Sequence, residues 1–170
     1  MPTINGKACV VNGTPVDKVF SDGKQVYSRN LLLGTSRDFV TYTAPNGGWG
    51  SFILSNDISE TDVNSDSVLT ISLDYKNVSY ENSRWYIQIA GYDSDNKFVS
   101  NIESHFPRFI QQSGRVSSTF TIPDRISGIS RPKLCCRDKP SEAYSIDVGA
   151  VKLEHGTNDT DWTPAPEDVI

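Results

Sequence analysis

Guanidinium, phenol and amide side chains alternate along Arg84, Tyr86, Gln88 and Tyr92, and hydroxyl, carboxylate and ammonium groups alternate along Thr70, Ser72, Asp74 and Lys76. Aromatic rings stack on flat apolar C–H faces, and planar polar side chains bridge neighbouring hydroxyls, so this mixture suits a polyhydroxylated ligand such as a saccharide. If the two stretches are adjacent strands, Asp74, Arg84, Tyr86, Gln88 and Tyr92 share one sheet face. The bland alternative is a solvated face on which tyrosine follows β propensity. Two loops offer further rings. Trp49, in Asn46-Gly47-Gly48-Trp49-Gly50, has few local neighbours to bury it; it either meets ligand or folds back over an open end of the fold. His105, Phe106, Arg108 and Phe109 surround Pro107 as an apolar and cationic cluster, either a groove wall or a crossover that buries its phenylalanines.

Catalytic patterns are missing. There is no Gly-x-Ser-x-Gly, no Gly-x-x-x-x-Gly-Lys and no His-Glu-x-x-His, and the two histidines, His105 and His155, stand apart. Most of the 21 acidic residues fall in apparent turns rather than as a pair flanking a cleft. The expectation is therefore a protein that is not an enzyme. Cys9, Cys135 and Cys136 make an odd count without ligand spacing, which argues against both a disulfide framework and a zinc site.

The elements that must position these residues read as strands. Val68 to Lys76 alternates Leu69, Ile71, Leu73 and Tyr75 against Thr70, Ser72, Asp74 and Lys76. Arg84 to Tyr92 sets Trp85, Ile87 and Ile89 against its polar row, so Trp85 has core phase. Val116 to Ile122 does the same. A period of two means one buried and one wet face. Shorter strands are expected at Phe39 to Thr43, Gly50 to Ser55, Lys97 to Asn101 and Lys133 to Arg137, with a hairpin turn at Asp93 to Lys97. Along Tyr144 to Glu154 the apolar phase slips between Val148 and Val151, as a bulge near Gly149-Ala150 would cause. No helical periodicity competes. The fold expected is all-β, an antiparallel β-sandwich or jelly roll.

Asn12-Gly13 and Asp22-Gly23 are hairpin signals, so residues 1–28 read as a small three-stranded appendage that must pack on something else or stay partly mobile. Residues 29–162 form the jelly roll. Residues 163–170, with Pro164 and Pro166, read as an extended exit linker, and Trp162 as a plug at the sandwich edge.

Composition narrows the partners. Hydrophobic residues are 36%, low enough to suit strands that bury one face each. A net charge of −5 disfavours nucleic acid, and the scattered charges offer no basic run for a membrane surface. No apolar run is long enough for a membrane span, so no membrane insertion is expected. Met1 to Val11 lacks the apolar core of a signal peptide, as expected of a protein released by lysis or of a piece of a longer chain.

Three stretches carry a resemblance. Asn12-Gly13-Thr14-Pro15-Val16-Asp17-Lys18-Val19 resembles the leader of modules in tail proteins of phages infecting lactobacilli. Arg29-Asn30-Leu31-Leu32-Leu33 resembles the first strand of jelly-roll carbohydrate-binding modules. Val151-Lys152-Leu153-Glu154-His155-Gly156, with Asp161-Trp162-Thr163-Pro164-Ala165-Pro166-Glu167-Asp168, resembles the closing strand and exit of such modules in tail fibres and baseplates. The family implied is the carbohydrate-binding module of a bacteriophage baseplate or tail protein, such as the insertion of an evolved distal tail protein. It implies a place in the virion at the tail tip, action at the host bacterial surface, host cell-wall or capsular polysaccharide as ligand, and other phage tail proteins as partners. It also implies a structural calcium between first and last strands, for which Asp147 is the candidate ligand, backbone carbonyls completing the shell. Two other readings remain: a spacer domain of the baseplate, and an accessory module of a secreted glycoside hydrolase.

Overall fold

Alternation along the chain produces two antiparallel sheets packed through their apolar faces. The structure is a computed structural model, and it describes residues 9–44, 50–59, 63–79, 84–107, 112–136 and 143–169. The amino-terminal strands are β1 (Val10–Val11), β2 (Thr14–Pro15), β3 (Lys18–Ser21) and β4 (Lys24–Ser28). They are followed by β5 (Leu32–Leu33), β6 (Val40–Ala44), β7 (Gly50–Ile53), β8 (Asp57–Ile58), β9 (Val68–Lys76), β10 (Trp85–Tyr92) and β11 (Phe98–His105). The last are β12 (Ser113–Thr121), β13 (Gly128–Ile129), β14 (Lys133–Cys136) and β15 (Tyr144–His155), with a short 3-10 turn at Pro166–Asp168.

One sheet has the order β12-β9-β15-β6; the other has the order β11-β10-β14-β7, with β13 also paired to β10. Leaving aside the short ribbons, the chain alternates between the sheets except at the β10–β11 hairpin, in the pattern of an eight-stranded jelly roll. The core is the inner row of each long strand. Leu69, Ile71 and Leu73 of β9 meet Trp85, Ile87 and Ile89 of β10, and Leu134, Cys136, Tyr144, Ile146 and Leu153 close the layer, all at most 2% exposed. Trp85 packs edge-on to Tyr144 with ring centroids 5.6 Å apart. Each such side chain contributes about 1.5–3 kcal/mol by leaving water.

One expectation about the site is overturned here. β9 and β10 lie in opposite sheets. Both have a strongly apolar inner row, and facing each other across the core buries both rows at once, which side-by-side pairing would not. Asp74 therefore points outward on one side of the sandwich, and Gln88 and Tyr92 on the other.

The bulge expected in the last strand is present. The pairing of β15 with β9 slips between Gly149, opposite Asp74, and Lys152, opposite Ser72. Ala150 takes a left-handed φ of 49°, and its N–H is held by the Ser36 carbonyl at 2.8 Å. Val148 and Val151 both stay buried as a result. The first strand is tied to the last by one amide. Asn30 is fully buried; its Oδ1 accepts from Leu32 N and Leu153 N, and its Nδ2 reaches Thr35 Oγ1, the Val151 carbonyl and the Thr163 carbonyl.

The appendage forms two separate ribbons, β1–β2 and β3–β4, rather than one three-stranded meander. Both hairpin tips have the left-handed pair of residues expected, Asn12-Gly13 and Asp22-Gly23. Between β2 and β3 no residue turns left-handed, and Val16 N and the Asp17 carbonyl are spent on Cys9 O and Arg29 N, so β3 does not double back on β2. The end of β4 packs on the jelly roll, with Tyr27 and Ser28 each 1% exposed. The carboxyl-terminal stretch read as an exit linker also lies against the domain. Thr163, Ala165 and Pro166 are buried, Glu167 pairs with Arg29, and the Asp168 carboxylate accepts the Gly34 N–H. The turn at Pro166–Asp168 is what brings those two carboxylates back.

Candidate functional site

The pairing registers assemble one open polar face from four strands. In β10 the outward residues are Tyr86, Gln88, Ala90 and Tyr92. Across from them on β11 stand His105, Glu103, Asn101 and Phe98, and on β14 Cys135 faces Tyr86 while Lys133 faces Gln88. Ser51 and Ile53 of β7 extend the first two rows. One row thus reads Glu103, Gln88, Lys133, Ile53: carboxylate, amide, ammonium and methyl groups side by side.

A shallow groove of about 160 Å³ runs along this face, lined by Ile53, Gln88, Ala90, Tyr92, Asn101, Ser130, Arg131 and Lys133. Its volume is below the roughly 300–1,000 Å³ of sites that enclose a small molecule, so it suits contact along a surface. Among the described residues, the side chains of Gln88, Asn101 and Lys133 have no hydrogen-bond or ion-pair partner. Ser130 is committed, receiving Ala90 N, and Arg131 gives one Nη1–H to the Asn56 carbonyl at 2.8 Å. At one end Tyr92 is half-buried and packs edge-on against Phe98 at 6.3 Å, and Phe98 is 53% exposed. Tyr92 also borders a cavity of about 560 Å³ with Asn64, Asp93 and Ser127, so its ring stands between two concavities.

The sequence candidates divide accordingly. Gln88 and Tyr92 are brought together on the groove. Tyr86 and His105 share the face and stack at 5.2 Å, but Tyr86 is only 6% exposed, so its ring is packing rather than a platform for ligand. His105 remains exposed, with Nε2 3.6 Å from the Glu103 carboxylate. Arg84 is exposed just before β10, at the end of the same outward row. Trp49, Arg108 and Phe109 lie outside the described residues, and Phe106 is buried.

Asp74 belongs to the opposite face, which is covered in part by its own chain; Asp74 itself borders a cavity of about 430 Å³ with Arg37, Arg115 and Trp162. Arg115 of β12 donates to Asp74, Ser72 and Asp159 at 2.8–2.9 Å. Residues 156–162 and β4 cover the centre, over Thr70, Lys152 and Glu154, while Thr41, Thr43 and Thr121 stay exposed. Lys152 and Glu154 point outward from β15 yet are fully buried. Lys152 Nζ donates to Thr160 Oγ1 at 2.7 Å and to the Asp161 carbonyl at 2.8 Å, and it lies 5.7 Å from the Tyr27 ring. Thr160 passes the bond on, its hydroxyl donating to Glu154 Oε2 and its N–H to Oε1. Burial pushes the Lys152 ammonium down to about 8 and pushes the Glu154 carboxyl up. Trp162, half-buried, gives its Nε1–H to Thr35 and lies under Arg37.

Asp147, the candidate calcium ligand, is engaged within the protein. Its two oxygens accept from Thr41 and Asn77 at 2.6 Å each, and those bonds, with Lys76 nearby, hold it below the usual carboxylate range. Among the described residues no group of three His, Cys, Asp or Glu side chains converges. Six to eight oxygens are needed. At the junction of first and last strands, the Asn30 amide supplies the cross-link a cation would provide.

Sequence reasoning missed Asn101, Arg131 and Lys133. Asn101 and Lys133 lie within expected strands, and their register to β10 places them opposite Ala90 and Gln88; Arg131 precedes Lys133 by two positions.

No protein-family model and no curated protein sequence matches the chain. Among solved structures it is similar to the tripod (BppUct-A-L) from the baseplate of bacteriophage Tuc2009, with a TM-score of 0.57 and 18% identity over 85% of this chain. The chain spans 61% of that one's length. It is also similar to "Family 16 Carbohydrate Binding Module-2" (TM-score 0.40, 12% identity, 66% of this chain and 74% of that one). A third is the CBM22-1 xylan-binding domain from Paenibacillus barcinonensis Xyn10C (0.37, 10%, 74% and 99%). At these identities the likeness is one of fold.

Proposed function

We propose that this chain is a non-catalytic module of a bacteriophage tail or baseplate that binds saccharide on the outer face of the β11-β10-β14-β7 sheet, aiding adsorption to a host bacterium. One observation carries the reading: the outer face of this sheet holds a groove that presents two amides and an ammonium with no internal partner among the described residues, whereas the centre of the opposite face is covered by its own chain. Unspent donors beside a partly exposed ring are what hydroxyl pairs and a C–H face require. The likeness to a phage baseplate component supports the setting. The cell-wall or capsular polysaccharide of the host is the ligand, and other tail proteins hold the module in place.

Calorimetry against polysaccharide from candidate hosts tests this. Binding in the micromolar to millimolar range is expected. Tyr92→Ala and Gln88→Ala should each weaken it about tenfold, since each removes a stacking ring or a bidentate amide, with the melting temperature nearly unchanged. Binding that persists undiminished in both variants would remove the groove from the reading. The second reading, a baseplate spacer, draws on β3–β4, where Phe20 and Val26 are 60% and 41% exposed. It predicts that Phe20→Ser disrupts assembly into the tail while saccharide binding is absent from the wild type.

A further inference from the structure

We infer that the saccharide recognised on this face carries negative charge, as a carboxylate or a phosphodiester, and that Arg131 and Lys133 recognise it. The inference rests on the groove being a saccharide site and adds the class of sugar.

Carboxylates outnumber cations in this chain, 21 to 16. Three other cations are spent internally: Arg29 on Asp17 and Glu167, Arg115 on Asp74 and Asp159, Lys152 beside Glu154. On the groove two cations stand on one wall, and neither has a carboxylate within ion-pair distance among the described residues. Solvated lysines are common on protein surfaces, so Lys133 alone would say little. Arg131 is different, because its guanidinium is fixed. One Nη1–H is held by the Asn56 carbonyl, and the remaining N–H groups of a planar fork, suited to carboxylate or phosphate, are left unspent.

The opposite wall sets an orientation. Glu103 lies across Gln88 from Lys133 in the same row. Two strand spacings separate them, about 10 Å at the backbone, and an anion is repelled from one side and drawn to the other. The ring of the sugar then lies over Gln88 and Asn101, whose amides take its hydroxyls, and its acidic group points toward β14.

Matched probes separate charge from sugar. Hexagalacturonate is compared with its methyl ester, and a glucan bearing pendant glycerol phosphates with the same glucan stripped of them. Affinities are measured by calorimetry at low and high sodium chloride, for wild type, Lys133→Gln and Arg131→Gln. The charged member of at least one pair should bind about tenfold tighter than its neutral partner, with the difference shrinking in high salt and in either variant. Which pair responds distinguishes carboxylate from phosphodiester. Equal binding of charged and neutral partners, lost in Tyr92→Ala, overturns the inference and leaves saccharide binding intact. Binding of polyglutamate as tight as that of hexagalacturonate overturns both, as does failure of every probe. Thermal melts of the two variants, both at exposed positions, exclude misfolding as the cause of any loss.

Discussion

Raising the pH from about 7 to about 9.5 should make this protein more stable, the reverse of ordinary alkaline behaviour, and Lys152 is the reason. Its ammonium has left water completely, and its nearest carboxylate oxygen, on Glu154, is 3.9 Å away. Burial lowers its proton affinity from the ordinary 10.5 to about 8, so between those values the unfolded chain binds more protons than the folded one. Stability therefore rises with pH across that window. The whole interval corresponds to about 3 kcal/mol, and the part between about pH 7 and about pH 9.5 to roughly 2 kcal/mol. Staying below about pH 10 avoids Tyr27 and Tyr42, whose hydroxyls burial pushes up and which would act in the opposite direction. Urea unfolding at the two pH values reads the gain as a shift in midpoint. The Lys152→Met/Glu154→Gln double variant is the reference; it removes both charges and should show no such gain. Equal slopes for wild type and variant would mean that the ammonium is not desolvated, and the account of its cover by residues 156–162 would fall with it.

Two further perturbations test how the fold is held. Asn30→Leu removes an amide with five hydrogen-bond contacts, four of them buried, and leaves the Leu153 N–H and two carbonyls without it, so a loss of about 3 kcal/mol in chemical unfolding is expected; a loss below about 1 kcal/mol would show that the first and last strands are joined by other means. Gly149→Ala places a Cβ 2.9 Å from the Arg37 carbonyl and 3.0 Å from that of Asp38, so the bulge must shift, lowering the melting temperature by several degrees; an unchanged melt would show that the 36–38 segment yields freely.

Side-chain alternation told which residues of β9 and β10 face inward, because a period of two is written in the sequence itself. It did not tell which strands are neighbours. That depends on how the chain crosses between sheets, and an alternating strand packs equally well beside its successor or across from it. Asp74 was misplaced for this reason, while Gln88 and Tyr92, which share one strand, stayed together. Lys133 sits in a four-residue strand between Pro132 and a cysteine pair, and Asn101 in a strand whose outward row includes the exposed Phe98 and whose inner row includes Ser104; neither shows alternation strong enough to single out a face. The slip in β15 was legible because Val148 and Val151 cannot both point to the same face in an unbroken strand. Nothing in the sequence announces the burial of Lys152 and Glu154, since charged residues at outward positions are almost always solvated and their cover, residues 156–162, carries no apolar pattern. The prolines near the carboxyl end suggested extension, yet the turn they start returns Asp168 to Gly34.

A groove this open lets go of what it touches. On the proposed reading most of the ligand stays in water and few atoms are in contact, so each encounter is brief, and residence time is set by how quickly a handful of exposed bonds exchange with solvent. An array of such grooves on a rigid support behaves differently. Once one is occupied, its neighbours sample the same coat at high local concentration, and release requires all of them to fail together. The quantity measured is then crowding of sugars on a surface: a sparse coat is touched and abandoned, while a dense one is held, with a sharp threshold between the two that no single groove possesses.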